Sequence, residues 1–432
     1  MKSKLILLLV IVMVAATILP GCAGTETEEP SEGGEDISEV ELGAVLPLSG
    51  GAAATGVKLQ AAMEVAQDII NNEYPDLDIP LAATAGLANM NNAKINITFA
   101  DHQANPEMAK SEAERLIDQG VAALAGCYHS SATKPASQAA EQYGVPFVAG
   151  SSSSAALTER GLNYFVRVAP NDDMETGMFF EYLKYLNANH GTDISTVAVA
   201  YVDNEYGVHA HEMVEKWLED QYAEEGFEYV GAVGYAGDVT NVDTEVQQIR
   251  DMDADALFHA SYISDITMFV NKYKEFGVAP QAVLNYCGGF QDTQFVVNLG
   301  ENGNYFAGGA AFSSDKLEDL PELAVINEMY KEKTDADLDG PALEEFASIM
   351  VIAEAINEAA SLDGDAIMEV IHSKEFNAPY FATGAVKFDE SGQNEVPASY
   401  VVQTLDEEYR AVYPEDISTT EPVAPIPPWD ER

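Results

Sequence analysis

The sequence predicts an α/β protein of two lobes, each a mostly parallel sheet flanked by helices. Three observations point there. Strand and helix patterns alternate almost without a break from Glu41 to Cys287, as successive β-α-β units do. The body is about 400 residues long, beyond the size at which a single core keeps growing. Two strand ends run into hydroxyl-rich helix starts at 127–131 and 151–154, and open parallel sheets place ligands beyond the carboxyl ends of their strands.

Taken in order, Lys2 and Lys4 precede an apolar run from Leu5 to Ile18, then Leu19-Pro20-Gly21-Cys22. The run is shorter than the ~20 residues of a membrane-spanning helix and ends in small residues, as a secretory signal does. Residues 1–21 are expected to be removed, leaving Cys22 to carry lipid; an uncleaved anchor helix would put the body on the same side of the membrane. Residues 22–39, rich in Glu, Thr, Ser and Gly, read as an acidic disordered tether.

The body opens with the strand VELGAVLPLSG, the helix VKLQAAMEVAQDIINN, the strand INITFADHQ and a helix begun by Pro106. A short strand ending near Gly126 leads to a helix with Pro135 near its first turn, followed by the strand VPFVAG. After Tyr164 to Val168 a second series begins with a helix around Met174 to Leu186. Strands TVAVAYVDN, YVGAVGYAG, ALFHAS and AVLNYC follow, separated by three helices. Pro321 to Ser373 reads as mostly helical, with Leu343 to Leu362 apolar on one face. Val386–Phe388 and Ser399–Thr404 suggest late strands, and 414–432 a Pro-rich, loosely attached tail.

Lys plus Arg number 21 against 72 Asp plus Glu, a net charge of −51. That excludes nucleic acid and anionic membrane surfaces as partners. Self-repulsion of this size fades at ~1 M salt, where the Debye length is ~3 Å, so a saline habitat is a natural setting. Besides Cys22 there are Cys127 and Cys287, expected as free buried thiols. Metal-ligand spacing is lacking, and no cofactor is expected. His209 and His211 lie two apart on an expected helix and face different directions. The glycines at 231, 234 and 237 do not have dinucleotide-binding spacing.

The run GCYHSS places His129, Ser130 and Ser131 where a strand hands over to a helix. Helix N-termini carry unpaired N–H groups and partial positive charge, so the junction suits a carboxylate. Ser151 to Ser154 repeat the arrangement one strand later. The same serines would also serve as ordinary caps or a flexible turn. Tyr206 and Tyr262 follow strand ends, where they close over a ligand or simply fill a core. Arg167, at the expected first hinge, reads as a counter-ion in the cleft for an anionic ligand or as a surface or hinge salt bridge.

PLSG, ADHQANPEMA, GCYHSSATKPAS, SSSSAALTERG and DNEYG, in that order, resemble the solute-binding proteins of branched-chain amino acid ABC transporters over most of residues 40–405. The resemblance implies a type I periplasmic-binding-protein fold of the leucine-binding kind, with three hinge crossings. Lobe 1 would be 40–168 with 311–388, and lobe 2 169–310 with 389–413. It implies a carboxylate held by Ser130, Ser131, Ser151 and Ser153, covered by Tyr206 and Tyr262, with Thr55 lining a side-chain pocket. Two departures stand out: residues 75–93 look inserted, and the disulfide of some relatives has no matching cysteines. The acid with which relatives grip an α-ammonium falls at Tyr286 or Cys287, neither of which carries a stable charge at neutral pH. Asp265 or Asp292 substitutes, or the ligand is a keto acid or amide, the reading the missing acid favours slightly.

These features predict a non-enzymatic, lipid-anchored monomer outside the cytoplasmic membrane. It would pass a small ligand to an ABC permease. A ligand-binding sensor component is the alternative, and an exterior enzyme the more distant one. Nucleophile elbow and phosphate loop are both missing.

Overall fold

The computed structural model describes residues 37–432; the leader, Cys22 and most of the tether lie outside them. β1 (Glu39–Leu46), β2 (Lys94–Asp101), β3 (Leu124–Gly126), β4 (Phe147–Ala149) and β5 (Phe165–Arg167) form an all-parallel sheet in the order β2-β1-β3-β4-β5. β3, β4 and β5 are buried throughout, as parallel strands covered on both faces must be. α1 (Ala53–Asn71), α2 (Pro106–Asp118) and α3 (Ser130–Tyr143) make the crossovers. Asn105 caps α2 by accepting from the Met108 amide, with Pro106 in the first turn. α3 begins at Ser130, so Pro135 lies inside the helix, further in than expected. Residues 75–93 pack Ile79, Ala82, Leu87 and Met90 into the core beside α1.

The chain then enters the second sheet through α4 (Asp172–Asn189). β6 (Thr196–Val202), α5 (Glu205–Trp217), β7 (Glu228–Tyr235), α6 (Asp243–Met252), β8 (Ala256–Ala260), α7 (Ile263–Phe276) and β9 (Ala282–Asn285) follow as expected. α8 (Gln294–Leu299) and β10 (Ala307–Ala310) were not legible in the sequence. β10 reads AGGA because larger residues do not fit: a Cβ on Gly308 would lie 2.4 Å from the Asn285 carbonyl oxygen.

From β10 the chain returns to the first core through α9 (Pro321–Thr334), α10 (Gly340–Ala359), α11 (Gly364–Ser373) and the hairpin β11 (Glu375–Asn377) and β12 (Ala385–Lys387). It crosses once more to β13 (Tyr400–Leu405) and β14 (Glu408–Tyr413). The second sheet runs β14-β13-β10-β9-β8-β6-β7, with β13 and β14 antiparallel and the other strands parallel. Each sheet has its own hydrophobic core, and the chain passes between them three times. The first and third passes are strapped together: Asn394 Nδ2 donates to the Val168 carbonyl (2.9 Å) and Gln393 Nε2 to that of Ala169 (2.9 Å).

α10 differs from its expected one-sided pattern. It is buried on every side from Gly340 to Ile356, packed against α1, α11 and the first sheet, which is why apolar residues surround it. The tail also differs. Gln403 and Val423 exchange hydrogen bonds, Trp429 Nε1 donates to the Val278 carbonyl (2.7 Å) and Ile426 is buried. Extended Pro-rich chain exposes its backbone groups, and here the second lobe satisfies them. Among the described residues no helix is long and apolar enough to cross a membrane.

Candidate functional site

Helix starts from both cores converge on one cavity of about 450 Å³. The first lobe contributes Ala52 and Thr55 at the start of α1, with Tyr128, His129 and Ser131 at the junction of β3 and α3. The second contributes Asn204 before α5, Asp238 after β7, and Tyr262 to Asp265 at the start of α7. Ala52 and His129 stand at the N-caps of α1 and α3 without a side-chain cap bond. Both helix starts thus lie on the cavity wall with no side chain capping their first-turn amides.

The β3–α3 junction is held by its backbone. Gly126 has φ +114, and a Cβ there would lie 2.3 Å from the Val45 carbonyl oxygen. Tyr128 follows at φ +76, an unfavourable region for a bulky side chain. Its ring packs edge-on to His129 at 5.0 Å, and His129 sits 4.8 Å from Tyr262 of the other lobe. Burial, with His102 adding to it, pushes the His129 imidazole down to about 3, so it is neutral at ordinary pH.

Thr55, Ser131, Tyr262 and Asp265 share this cavity; the other expected site residues do not line it. Ser130 Oγ accepts from the Ser154 amide (3.2 Å), and Thr133 Oγ1 pairs with Ser152 Oγ (2.5 Å), so the two hydroxyl-rich strand ends bond to one another. Ser151 donates to Glu345 of α10 from its hydroxyl (2.8 Å) and its amide (3.2 Å). Ser153 is buried near the Cys287 thiol. Tyr206 donates to the Cys287 carbonyl (2.5 Å), with its ring 5.5 Å from Tyr262. Tyr286 is a correction: it lies in the second core, its hydroxyl paired with Thr176 Oγ1 (2.7 Å) and its ring 5.0 Å from Phe179. With its ring and hydroxyl both engaged in the second core, the side chain does not reach the cavity.

Arg167 is neither a cleft counter-ion nor a hinge salt bridge. It is fully buried and donates to the Ser152 carbonyl (3.1 Å), the Ser154 carbonyl (2.5 Å), Thr158 Oγ1 (3.2 Å) and Gln393 Oε1 (2.9 Å). Cys127 and Cys287 are free and buried, as expected. His209 pairs with Asp172 (3.1 Å), and His211 with the Tyr229 hydroxyl (2.6 Å).

Two ion pairs that sequence reasoning missed join the lobes. Lys58 of α1 reaches Asp292 Oδ1 (2.5 Å) and Thr293 Oγ1 (2.8 Å), with Asp339 at 3.7 Å, while Thr55 donates to Asp292 Oδ2 (3.0 Å). Burial pushes the Lys58 ammonium down, but Asp339 and Asp292 outweigh it and hold it above its ordinary value. Lys134 of α3 lies 2.8 Å from both Glu205 oxygens at the start of α5. Nothing in the local pattern pairs residues so far apart in sequence. Asp265 accepts from the Tyr262 amide (3.3 Å), Ser264 Oγ (2.8 Å) and the Tyr235 hydroxyl (3.4 Å), and burial raises its pKa against those bonds.

A family model described as periplasmic binding protein matches residues 39–408. The Leu/Ile/Val-binding protein homolog 7 of Brucella suis biovar 1 (strain 1330) is 27% identical over 392 residues, covering 89% of this chain and 94% of its own. Among solved structures, a leucine-binding protein of Thermotoga maritima MSB8 superposes with a TM-score of 0.73 at 19% identity, over 88% of this chain and all of its own. An ABC transporter solute-binding protein of Rhodopseudomonas palustris BisB5, in complex with 3,4-dihydroxybenzoic acid, gives 0.72 at 19% identity, over 90% of this chain and 99% of its own.

Proposed function

Because the chain belongs to the periplasmic binding protein family, we propose that it is the extracytoplasmic solute-binding protein of an ABC transporter of the branched-chain amino acid type. It captures a small carboxylate-bearing ligand between its lobes and delivers it to the permease. One observation carries this reading: a cavity walled by both lobes, with the uncapped starts of α1 and α3 on one side and Tyr262 on the other. Donors to a charged acceptor contribute ~1.5–3 kcal/mol each. A ligand that needs both walls for its contacts favours the closed form by its differential affinity alone. Cys22 would tether the mature protein to the outer face of the membrane, and mass spectrometry of membrane-extracted protein should show added acyl mass on that residue.

Small-angle scattering with and without saturating L-leucine, 4-methyl-2-oxopentanoate or 4-hydroxybenzoate tests the capture step. At least one should shrink the radius of gyration, and Ser131→Ala should weaken that ligand about tenfold without changing the melting temperature. Superimposable curves with all three would count against lobe closure on a carboxylate.

A further inference from the structure

A second cavity, of about 400 Å³, opens on a different set of elements. Small-molecule sites are of this size. Leu338 and Phe312 of the first core line it, as does Val402 of the second. Its charges are of one sign: Asp335, Asp337 and Asp339 come from the loop ahead of α10, Glu407 and Glu408 from the β13–β14 turn, and no lysine, arginine or histidine joins them. Asp339 lies 3.7 Å from Lys58, Asp337 lies 3.2 Å from Lys331, and Glu408 pairs with Arg410. Asp335 and Glu407 are exposed and have no ion-pair partner among the described residues.

A separate observation lies deeper. Gln291 is 5% exposed and lines the same cavity; its Nε2 donates to the Gly309 carbonyl (2.6 Å), while its Oε1 has no hydrogen-bond partner. A buried acceptor left unpaired is costly, so this position favours an incoming donor. An anion would meet five carboxylates here. A neutral alcohol would leave Asp335 and Glu407 uncompensated. A bare metal ion would not use the apolar lining, and among the described residues no three His, Cys, Asp or Glu side chains are placed to hold one.

We propose that this cavity binds a small aliphatic diamine, protonated on both nitrogens. One ammonium answers Gln291 and Asp339 in the interior, the other lies among Asp335 and Glu407 at the mouth, and the methylene chain covers Leu338, Phe312 and Val402. Complementary charge selects such a cation over neutral and anionic molecules of equal length. A ligand seated on residues of both cores also favours the arrangement that brings them together. The polar cluster at Lys58 joins the two cavities: Thr55 lines the first and donates to Asp292 (3.0 Å), and Lys58 links Asp292 (2.5 Å) to Asp339. This second site stands apart from the capture reading and needs no ligand in the first cavity.

Titration calorimetry on the mature chain at constant high NaCl compares 1,5-diaminopentane with pentylamine, 1,5-pentanediol and glutarate. The diamine should bind one to one, at least tenfold tighter than pentylamine, with no measurable binding of the diol or the diacid. Val297 lines the cavity and is 70% exposed, so Val297→Arg places a cation at the mouth without disturbing either core. That variant, and separately Asp335→Asn combined with Glu407→Gln, should weaken the diamine tenfold or more while the ligand-free melting temperature stays unchanged. Asp265→Asn, in the first cavity, should leave diamine affinity unaltered. A diol that binds as tightly as the diamine, a diamine that does not bind, or an affinity insensitive to both mouth variants overturns the site. Loss of binding in Asp265→Asn alone would place the diamine in the first cavity and overturn it equally.

Discussion

Ser131 and Ser151 carry the same side chain at the same kind of strand-to-helix junction, yet Ser131 lines the cavity and Ser151 is spent on Glu345. The difference predicts different phenotypes. Burial pushes Glu345 from 4.5 up to about 7, with the Ser151 bonds opposing it. The folded pKa is raised, so the native state holds a proton that the unfolded chain releases. Its contribution to stability is full below about 4.5 and lost as pH rises through about 7. Urea unfolding at pH 5 and pH 8 should therefore show stability falling with pH. Glu345→Gln should flatten that fall by on the order of 2 kcal/mol. Equal slopes for the two proteins would contradict the assignment. Ser151→Ala removes the hydroxyl donor from a buried carboxyl, leaving the amide bond in place, and should lower stability by about 1–3 kcal/mol.

At the scale of elements, α1 meets residues 292–293 and α3 meets α5 through ion pairs of unequal depth. Lys134 and Glu205 are 48% and 23% exposed, Lys58 and Asp292 only 11% and 3%. An exposed pair contributes at most ~1 kcal/mol, so Lys134→Ala should shift the closed population only a few-fold, and less at high salt. Removing Lys58 leaves Asp292 and Asp339 facing each other without a cation, an effect of ~3–5 kcal/mol. Lys58→Met should open the lobes, seen as a larger radius of gyration and faster hydrogen exchange at the start of α1. A variant as compact as wild type would show that this buried pair does not hold the lobes together.

For the whole molecule, the charge of −51 sets conditions rather than architecture. Acidic residues run through both lobes, and repulsion among them weakens as the Debye length falls from ~10 Å at 0.1 M to ~3 Å at 1 M salt. The melting temperature should be low in dilute buffer and climb steeply with NaCl. A melting temperature independent of salt would remove the link to a saline setting.

The alternating pattern of apolar runs and amphipathic helices is a local property, so the α/β class, the parallel strands and the position of the β3–α3 junction are legible in the amino-acid sequence by itself. So are the free, buried thiols of Cys127 and Cys287. Local pattern reports which face of an element is apolar, but not what that face meets. The partners of Ser130 and Ser151, the inward turn of Tyr286 and the pairing of Lys58 with Asp292 depend on chain segments far apart in sequence. β10 and the docked tail escaped for the same reason. Glycines chosen for close approach, and a Pro-rich tail whose Ile426 and Trp429 donate to distant carbonyls, carry no periodic signal. Only the tertiary structure decides which hydroxyl and which carboxylate face the cavity, because burial and hydrogen-bond satisfaction are settled jointly by everything that packs around them.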